Sequence, residues 1–206
     1  MTNLLDDPMI SGLYRGYLAQ AINRFGPAVH GRPVRSIVYK GDIPECTHLN
    51  ETDLEIRLTE SARQNRQQQK IQLSHEAVHV ICRGPNTTAR LIEEGTAVHF
   101  SMTVRPYEAG YLKKVIDWGL PPQFLVAADL YRKLISTRRD AVKHIRTKQA
   151  LVLDELTTDQ LADAIPALGA TDREALLLPL SDWQIAVQQG WADLESGRAA
   201  LRQWAR

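Results

Sequence analysis

Two histidines and a glutamate within five consecutive residues are the part of this sequence best suited to chemistry. His75, Glu76 and His79 form an HExxH motif, and the glutamate pair Glu93 and Glu94 follows it. Histidines at positions i and i+4 of a helix project from one face, so both imidazoles can bind one metal ion at about 2.0 to 2.1 Å. Beside that metal, the Glu76 carboxylate can take a proton from a metal-activated water without being a ligand. The motif therefore predicts a metal-binding helix with Glu76 as general base.

A catalytic metal site of this kind needs a third protein ligand. A carboxylate on the following helix would leave the fourth position to water, and Glu93 or Glu94 can supply it. Adjacent helical positions differ by about 100°, so only one of the two can face the metal. A second interpretation needs no metal: in it, His75 and His79 are core histidines that pair with these glutamates.

Hydrophobic periodicity indicates which elements must position these side chains. The pattern predicts a helix over 12–25 that ends at Gly26, strands over 34–39 and 54–58, and one long helix or a loop and a helix between 61 and 84. A helix over 88–103, capped by Asn86 or Thr87, would carry the glutamates.

A long helix should start at Pro121 and Pro122. Three possible capping boxes then predict short helices, at Thr157 with Gln160, Thr171 with Glu174, and Ser181 with Gln184. Early strands and late helices together favour an α+β fold.

With these residues in place, the sequence resembles the gluzincin zinc metallopeptidases, which carry HExxH on one helix and a glutamate ligand, often followed by glycine, on the next. The likeness covers about residues 73–100. It implies a zincin-like fold with a small antiparallel or mixed sheet packed on the HExxH helix and a mostly helical C-terminal lobe. It also implies peptide-bond hydrolysis and one Zn²⁺ per chain, bound by His75, His79 and Glu94.

Several finer expectations follow from this resemblance. We prefer Glu94 over Glu93 as ligand because it shares a helical stripe with Leu91 and Val98 and directly precedes Gly95. Val98 stands where some gluzincins have an aspartate that orients a zinc histidine, so another group, such as a backbone carbonyl, should do so here. The strand over 54–58 is our candidate for an edge strand that pairs with extended substrate. The metallopeptidase domain should span 1–148, and a helical extension should span 149–206.

Candidates for a donor that stabilises the transition state are weaker. His99, Tyr107 and Tyr111 follow the glutamates closely, but none of them lies in a motif. Each fits a core or surface role better than a catalytic one. The sequence therefore leaves the oxyanion-stabilising residue open.

Composition restricts the remaining function classes. The 206 residues include 25 Lys plus Arg and 24 Asp plus Glu, a net charge of +1 that does not indicate a strongly basic nucleic-acid binder. The start of the chain has neither a secretory signal pattern nor an apolar run that would cross a membrane, so we expect a cytoplasmic protein with a peptide or protein substrate. An alternative is a regulatory or partner-binding module that has no proteolytic activity. In that case the basic segment 132–148 would contact the partner, and nucleic acid is one candidate. Hydrolysis of a non-peptide amide is a third interpretation, since the zinc chemistry would be shared.

Overall fold

A small mixed sheet and ten α-helices make up the part of the chain that the structure describes. The structure is a computed structural model, and the described residues are 2–82, 84, 88–104 and 107–206. The strands are β1 (Val34–Tyr39), β2 (Glu45–His48) and β3 (Leu54–Leu58). The helices are α1 (Pro8–Phe25), α2 (Arg66–Cys82), α3 (Leu91–Thr103), α4 (Tyr111–Asp117), α5 (Pro122–Thr137), α6 (Ala141–Gln149), α7 (Thr158–Ala164), α8 (Ala170–Leu177), α9 (Trp183–Gln188) and α10 (Leu194–Trp204). The fold is α+β and mostly helical, as predicted.

The sheet corrects one prediction about the strands. The strand order is β1-β3-β2, with β1 parallel and β2 antiparallel to β3. The segment 54–58 is therefore the central strand, and the expectation that it forms the edge over the cleft was wrong. Leu54, Ile56 and Leu58, at every second position, are buried in the core, and the two residues between them are half-buried. This pattern suits a central strand. The two edge strands are β1 and β2. Sequence reasoning missed β2 because its four residues are flanked by turn-forming Gly41, Pro44 and Asn50.

The first two helices are capped by side chains. Asp7 accepts hydrogen bonds from the backbone amides of Met9 and Ile10, so α1 starts four residues before the predicted position and ends at Gly26 as predicted. Before α2 lies a short 3₁₀ helix, Glu60–Gln64, and the Asn65 side chain accepts from the first amides of α2. Of the two arrangements predicted for 61–84, a loop followed by a helix is correct.

The start of α3 depends on a tertiary contact. This helix begins at Leu91 rather than 88, while the predicted caps Asn86 and Thr87 lie outside the described residues. Arg90 forms a β-bridge with Pro179, and the amide of Leu91 donates to the carbonyl of Leu178 at 3.0 Å. This pairing keeps Arg90 extended, so the helix cannot begin before Leu91. Local sequence could not show this, because the partner strand is about ninety residues away in the chain.

The C-terminal helices confirm two of the predicted starts. The long helix α5 begins at Pro122, and Thr157 with Gln160 forms a complete capping box at α7. The other two capping boxes were wrong. Helix α8 starts at Ala170, which places Thr171 inside the first turn, and Ser181 lies in a 3₁₀ helix where its hydroxyl donates to Asp182.

Two glycines allow the helices around α5 to pack closely. A Cβ on Gly95 of α3 would lie 2.6 Å from the carbonyl oxygen of Ala127, and one on Gly197 of α10 would lie 2.0 Å from that of Leu125. Both distances are too short for any side chain, so α5 contacts α3 and α10 backbone against backbone. No helix among the described residues is long and apolar enough to cross a membrane.

Candidate metal centre

The HExxH helix and the helix that follows it pack together and bring three predicted ligands to one point. His75 Nε2 lies 3.0 Å from Glu94 Oε1, and His79 Nε2 lies 3.6 Å from Glu94 Oε2. The two Nε2 atoms are 3.1 Å apart. His79 and Glu94 are buried, and His75 is only partly exposed. Among the described residues this trio is the one group of His, Cys, Asp and Glu side chains close enough to hold a metal ion together.

Glu93, the predicted alternative ligand, contacts the opposite side of the His79 ring. Its carboxylate is fully buried and hydrogen-bonded to His79 Nδ1. An ionised carboxylate can only accept a hydrogen bond, so His79 Nδ1 is the donor. In a neutral imidazole the lone pair is then on Nε2, the atom that faces Glu94. The group on the Nδ1 side of His79 is therefore the Glu93 carboxylate rather than a backbone carbonyl. Because adjacent helical positions differ by about 100°, Glu93 and Glu94 can reach opposite sides of one ring.

The donor atoms fit a zinc ion. Tetrahedral ligands at about 2.0 to 2.1 Å from zinc lie roughly 3.3 Å from one another. Here the two Nε2 atoms are 3.1 Å apart, and they lie 3.0 and 3.6 Å from different oxygens of Glu94. Ligand atoms taken one from each residue all lie within 4.8 Å of one another. Two imidazoles and one carboxylate are also the ligand set of catalytic zinc sites that leave one position open. The residues therefore suit zinc in both chemistry and spacing.

These residues lie in a cleft of about 550 Å³ that also contains Glu76. The Glu76 side chain is buried, with 1% exposure, and belongs to the cleft wall beside His75 and His79. The described residues lining the cleft include no lysine or arginine, and most are apolar. Strand β2 contributes Glu45 and Cys46 to the rim, so the sheet edge and the predicted base face the same space.

No family model, curated protein or solved structure matches this chain. The geometry of the cleft is therefore the basis for a functional interpretation.

The three weaker candidates lie in different places. Tyr111 lines the cleft, and burial with the nearby Glu108 charge raises its pKa, so its hydroxyl stays protonated at neutral pH. The Tyr107 hydroxyl donates to the carbonyl of Ser101 at 2.7 Å and pairs with Ser74 at 3.0 Å. His99 lines a separate cavity against Tyr131. Tyr111 is thus the one of the three that the structure brings to the cleft.

A Glu93→Gln variant should separate an orienting role from a ligand role. The amide preserves shape but is a weaker acceptor for His79 Nδ1, and loss of such a partner lowers metal affinity about 10- to 100-fold. Glu94→Gln should weaken zinc binding more, because it removes a charged ligand. Competition with a zinc-chelating dye measures both affinities. Equal losses, or a larger loss for Glu93→Gln, would show that Glu93 is itself the ligand.

The buried His99 should make the protein sensitive to acid. Burial, then the positive charge of Arg24, lowers its pKa from 6.5 to about 3. Unfolded chains take up a proton near pH 6.5 and folded ones do not, so this residue reduces the free energy of unfolding by about 2 kcal/mol between pH 7.5 and pH 5. His99→Phe keeps a ring but cannot titrate. Urea unfolding at both pH values should show a smaller stability loss for the variant, and an unchanged loss would contradict this.

Proposed function

We propose that this chain is a zinc-dependent peptidase of the gluzincin type with a zincin-like fold. The observation that carries this proposal is the convergence of His75, His79 and Glu94 at zinc-compatible spacing, with Glu76 buried in the wall of the same cleft. A purely structural histidine cluster needs hydrogen-bond partners, but it does not need a cleft open to a substrate. We therefore favour hydrolysis over a packing role.

In this proposal, each side chain at the cleft has a separate role in amide hydrolysis. His75, His79 and Glu94 would hold the zinc, and Glu93 orients His79 through Nδ1. Bound zinc supplies a Lewis acid that makes water more acidic and polarises a carbonyl group. Glu76 takes the proton from the attacking water and returns it to the leaving amine. Tyr111, protonated at neutral pH, is available in the wall to donate to the oxygen of the scissile group.

The shape of the cleft favours an extended peptide. Strand β2 is the outer strand of the sheet on the cleft side, and an extended chain can add to such an edge through backbone hydrogen bonds. Ile43 and Trp118, which are 74% and 72% exposed, lie on the rim and can cover apolar substrate side chains. With Glu45 and no cation in the described lining, the cleft should disfavour acidic substrate residues.

Digestion of an unfolded protein substrate tests the proposal. Purified chain with equimolar zinc should cleave reduced casein into peptides detectable by mass spectrometry, and 1,10-phenanthroline should abolish cleavage until zinc is restored. Cleavage sites should be poor in Asp and Glu. Full activity in the presence of the chelator, or zinc-dependent hydrolysis of simple acyl amides with no cleavage of any peptide, would contradict a zinc peptidase.

A further inference from the structure

A second cavity, which shares no lining residue with the metal cleft, opens between α1, α3, α5 and α6. Its volume is about 930 Å³, larger than the cleft of the metal centre. Phe25, Phe100 and Tyr131 provide an aromatic lining, and all three side chains are buried. Three cations also line it: Arg24, Arg139 and Lys143. The cations are exposed, whereas the aromatic side chains are packed behind them.

None of these cations is ion-paired within the described part of the chain. The Arg24 guanidinium donates to Thr103 Oγ1 at 2.7 Å and lies 3.3 Å from His99 Nδ1. Lys143 Nζ donates to the carbonyl of Asn23 at 3.1 Å. The described lining holds one acid, Asp140, which is ion-paired with Arg138 at 2.7 Å. Three positive charges therefore face the cavity without a matching set of carboxylates.

The rest of the basic segment 132–148 is bound within the fold. Four cations pair with acids, namely Arg132 with Asp129, Lys133 with Asp172, Arg138 with Asp140, and Lys148 with Asp163. Arg146 is buried and donates to the backbone carbonyls at the ends of α1 and α2. The remaining two, Arg139 and Lys143, both line the cavity. This distribution is unlike an open basic face for nucleic acid, which presents its charges along one surface.

The three cations of the cavity are exposed side chains. Partial desolvation lowers the pKa of Arg24, and the positive charge of Arg139 lowers it further, while Tyr131 acts in the opposite direction. His99 is 8% exposed and stays neutral, so it adds no charge. An anion bound in the cavity would be attracted by all three cations.

We infer that this cavity binds a small molecule that carries a diphosphate group. Guanidinium groups match phosphate oxygens in pairs, and three cations suit a diphosphate better than a single carboxylate. The volume lies within the range of about 300 to 1,000 Å³ that small-molecule sites occupy. This site is independent of the proposed peptidase function.

Calorimetric titration of the full chain with ADP tests the inference. One ADP should bind per chain, and adenosine, which lacks phosphate, should bind at least about tenfold more weakly. The double variant Arg139→Gln with Lys143→Gln should lose about tenfold or more in affinity, since it removes two exposed cations without touching the core. Arg15→Gln is the matched control, because Arg15 lies on α1 but outside the cavity, and its one side-chain partner among the described residues is Ser11.

The same titrations contain the results that would overturn the inference. Absence of ADP binding, or equal affinity of the double variant and the wild type, would exclude the cavity as the site. Chelation at the metal centre cannot mimic a positive result, because that centre is unchanged in the double variant. Adenosine binding as tightly as ADP would also overturn the inference, because it would show that the phosphate groups are not recognised. Tighter binding of a DNA oligonucleotide, weakened equally by Arg132→Gln, would instead assign the segment to nucleic acid.

Discussion

Replacement of His79 by alanine should remove zinc from the protein. Elemental analysis of untagged wild-type chain should give about one zinc per chain, whereas His79→Ala should retain almost none, because a site with one remaining histidine and Glu94 cannot complete a catalytic zinc sphere. The variant also leaves the buried Glu93 carboxylate without its imidazole partner. A cost of about 3 kcal/mol in the free energy of unfolding should follow.

Two further variants make the metal experiment decisive. His75→Ala changes a proposed ligand that is more exposed, 15% against 4% for the His79 side chain, so it should lose zinc with a smaller loss of stability. His30→Ala is the control, since His30 is exposed and outside the cleft, and should keep full zinc. If wild type and all variants are free of zinc after zinc is supplied, the cluster is a histidine–glutamate packing feature and the peptidase proposal fails.

Substitution of Glu76 by glutamine should abolish turnover and leave zinc in place. The amide is almost isosteric in a side chain that is 1% exposed, so folding should be preserved. It cannot accept the proton of the attacking water, and loss of general-base catalysis lowers kcat about 10² to 10⁴-fold. Initial rates of peptide cleavage, with zinc content measured on the same samples, check this expectation.

Glu45 offers a matched carboxylate for that measurement. It lines the same cleft, but its side chain is 51% exposed and ion-paired with Arg57 at 3.0 Å. Glu45→Gln should therefore keep kcat close to the wild-type value while tolerance of acidic substrate residues increases. Retained turnover in zinc-loaded Glu76→Gln would refute Glu76 as the base.

The metal cluster was accessible to sequence reasoning because helical geometry is a local property. The period of a helix was enough to predict that His75 and His79 share a face and that Glu94 lies on the stripe facing them. The structure places all three side chains together. The role of Glu93 was not accessible, since it depends on how α2 and α3 rotate against each other. Such rotation is decided by packing between helices.

Other features were missed because they depend on contacts between distant segments. Strand β2 is stabilised by pairing with β3 rather than by its own four residues. The extended entry into α3 depends on Pro179, and the basic cavity depends on Arg24 of α1 and Arg139, between α5 and α6, lining one space. In the sequence the basic segment is a single run of charge. Only the fold distinguishes its internally paired members from those that face a cavity.

The glycine contacts on either side of α5 have a consequence for how this protein can evolve. Gly95 is adjacent to Glu94, and its missing side chain sets the separation of α3 from α5. Any larger residue would displace the backbone that carries the carboxylate, so one substitution would alter packing and chemistry together. Gly197 constrains the opposite side of α5 in the same way. Selection for stable packing around α5 should therefore preserve Gly95 and Gly197, although neither residue lines the cleft.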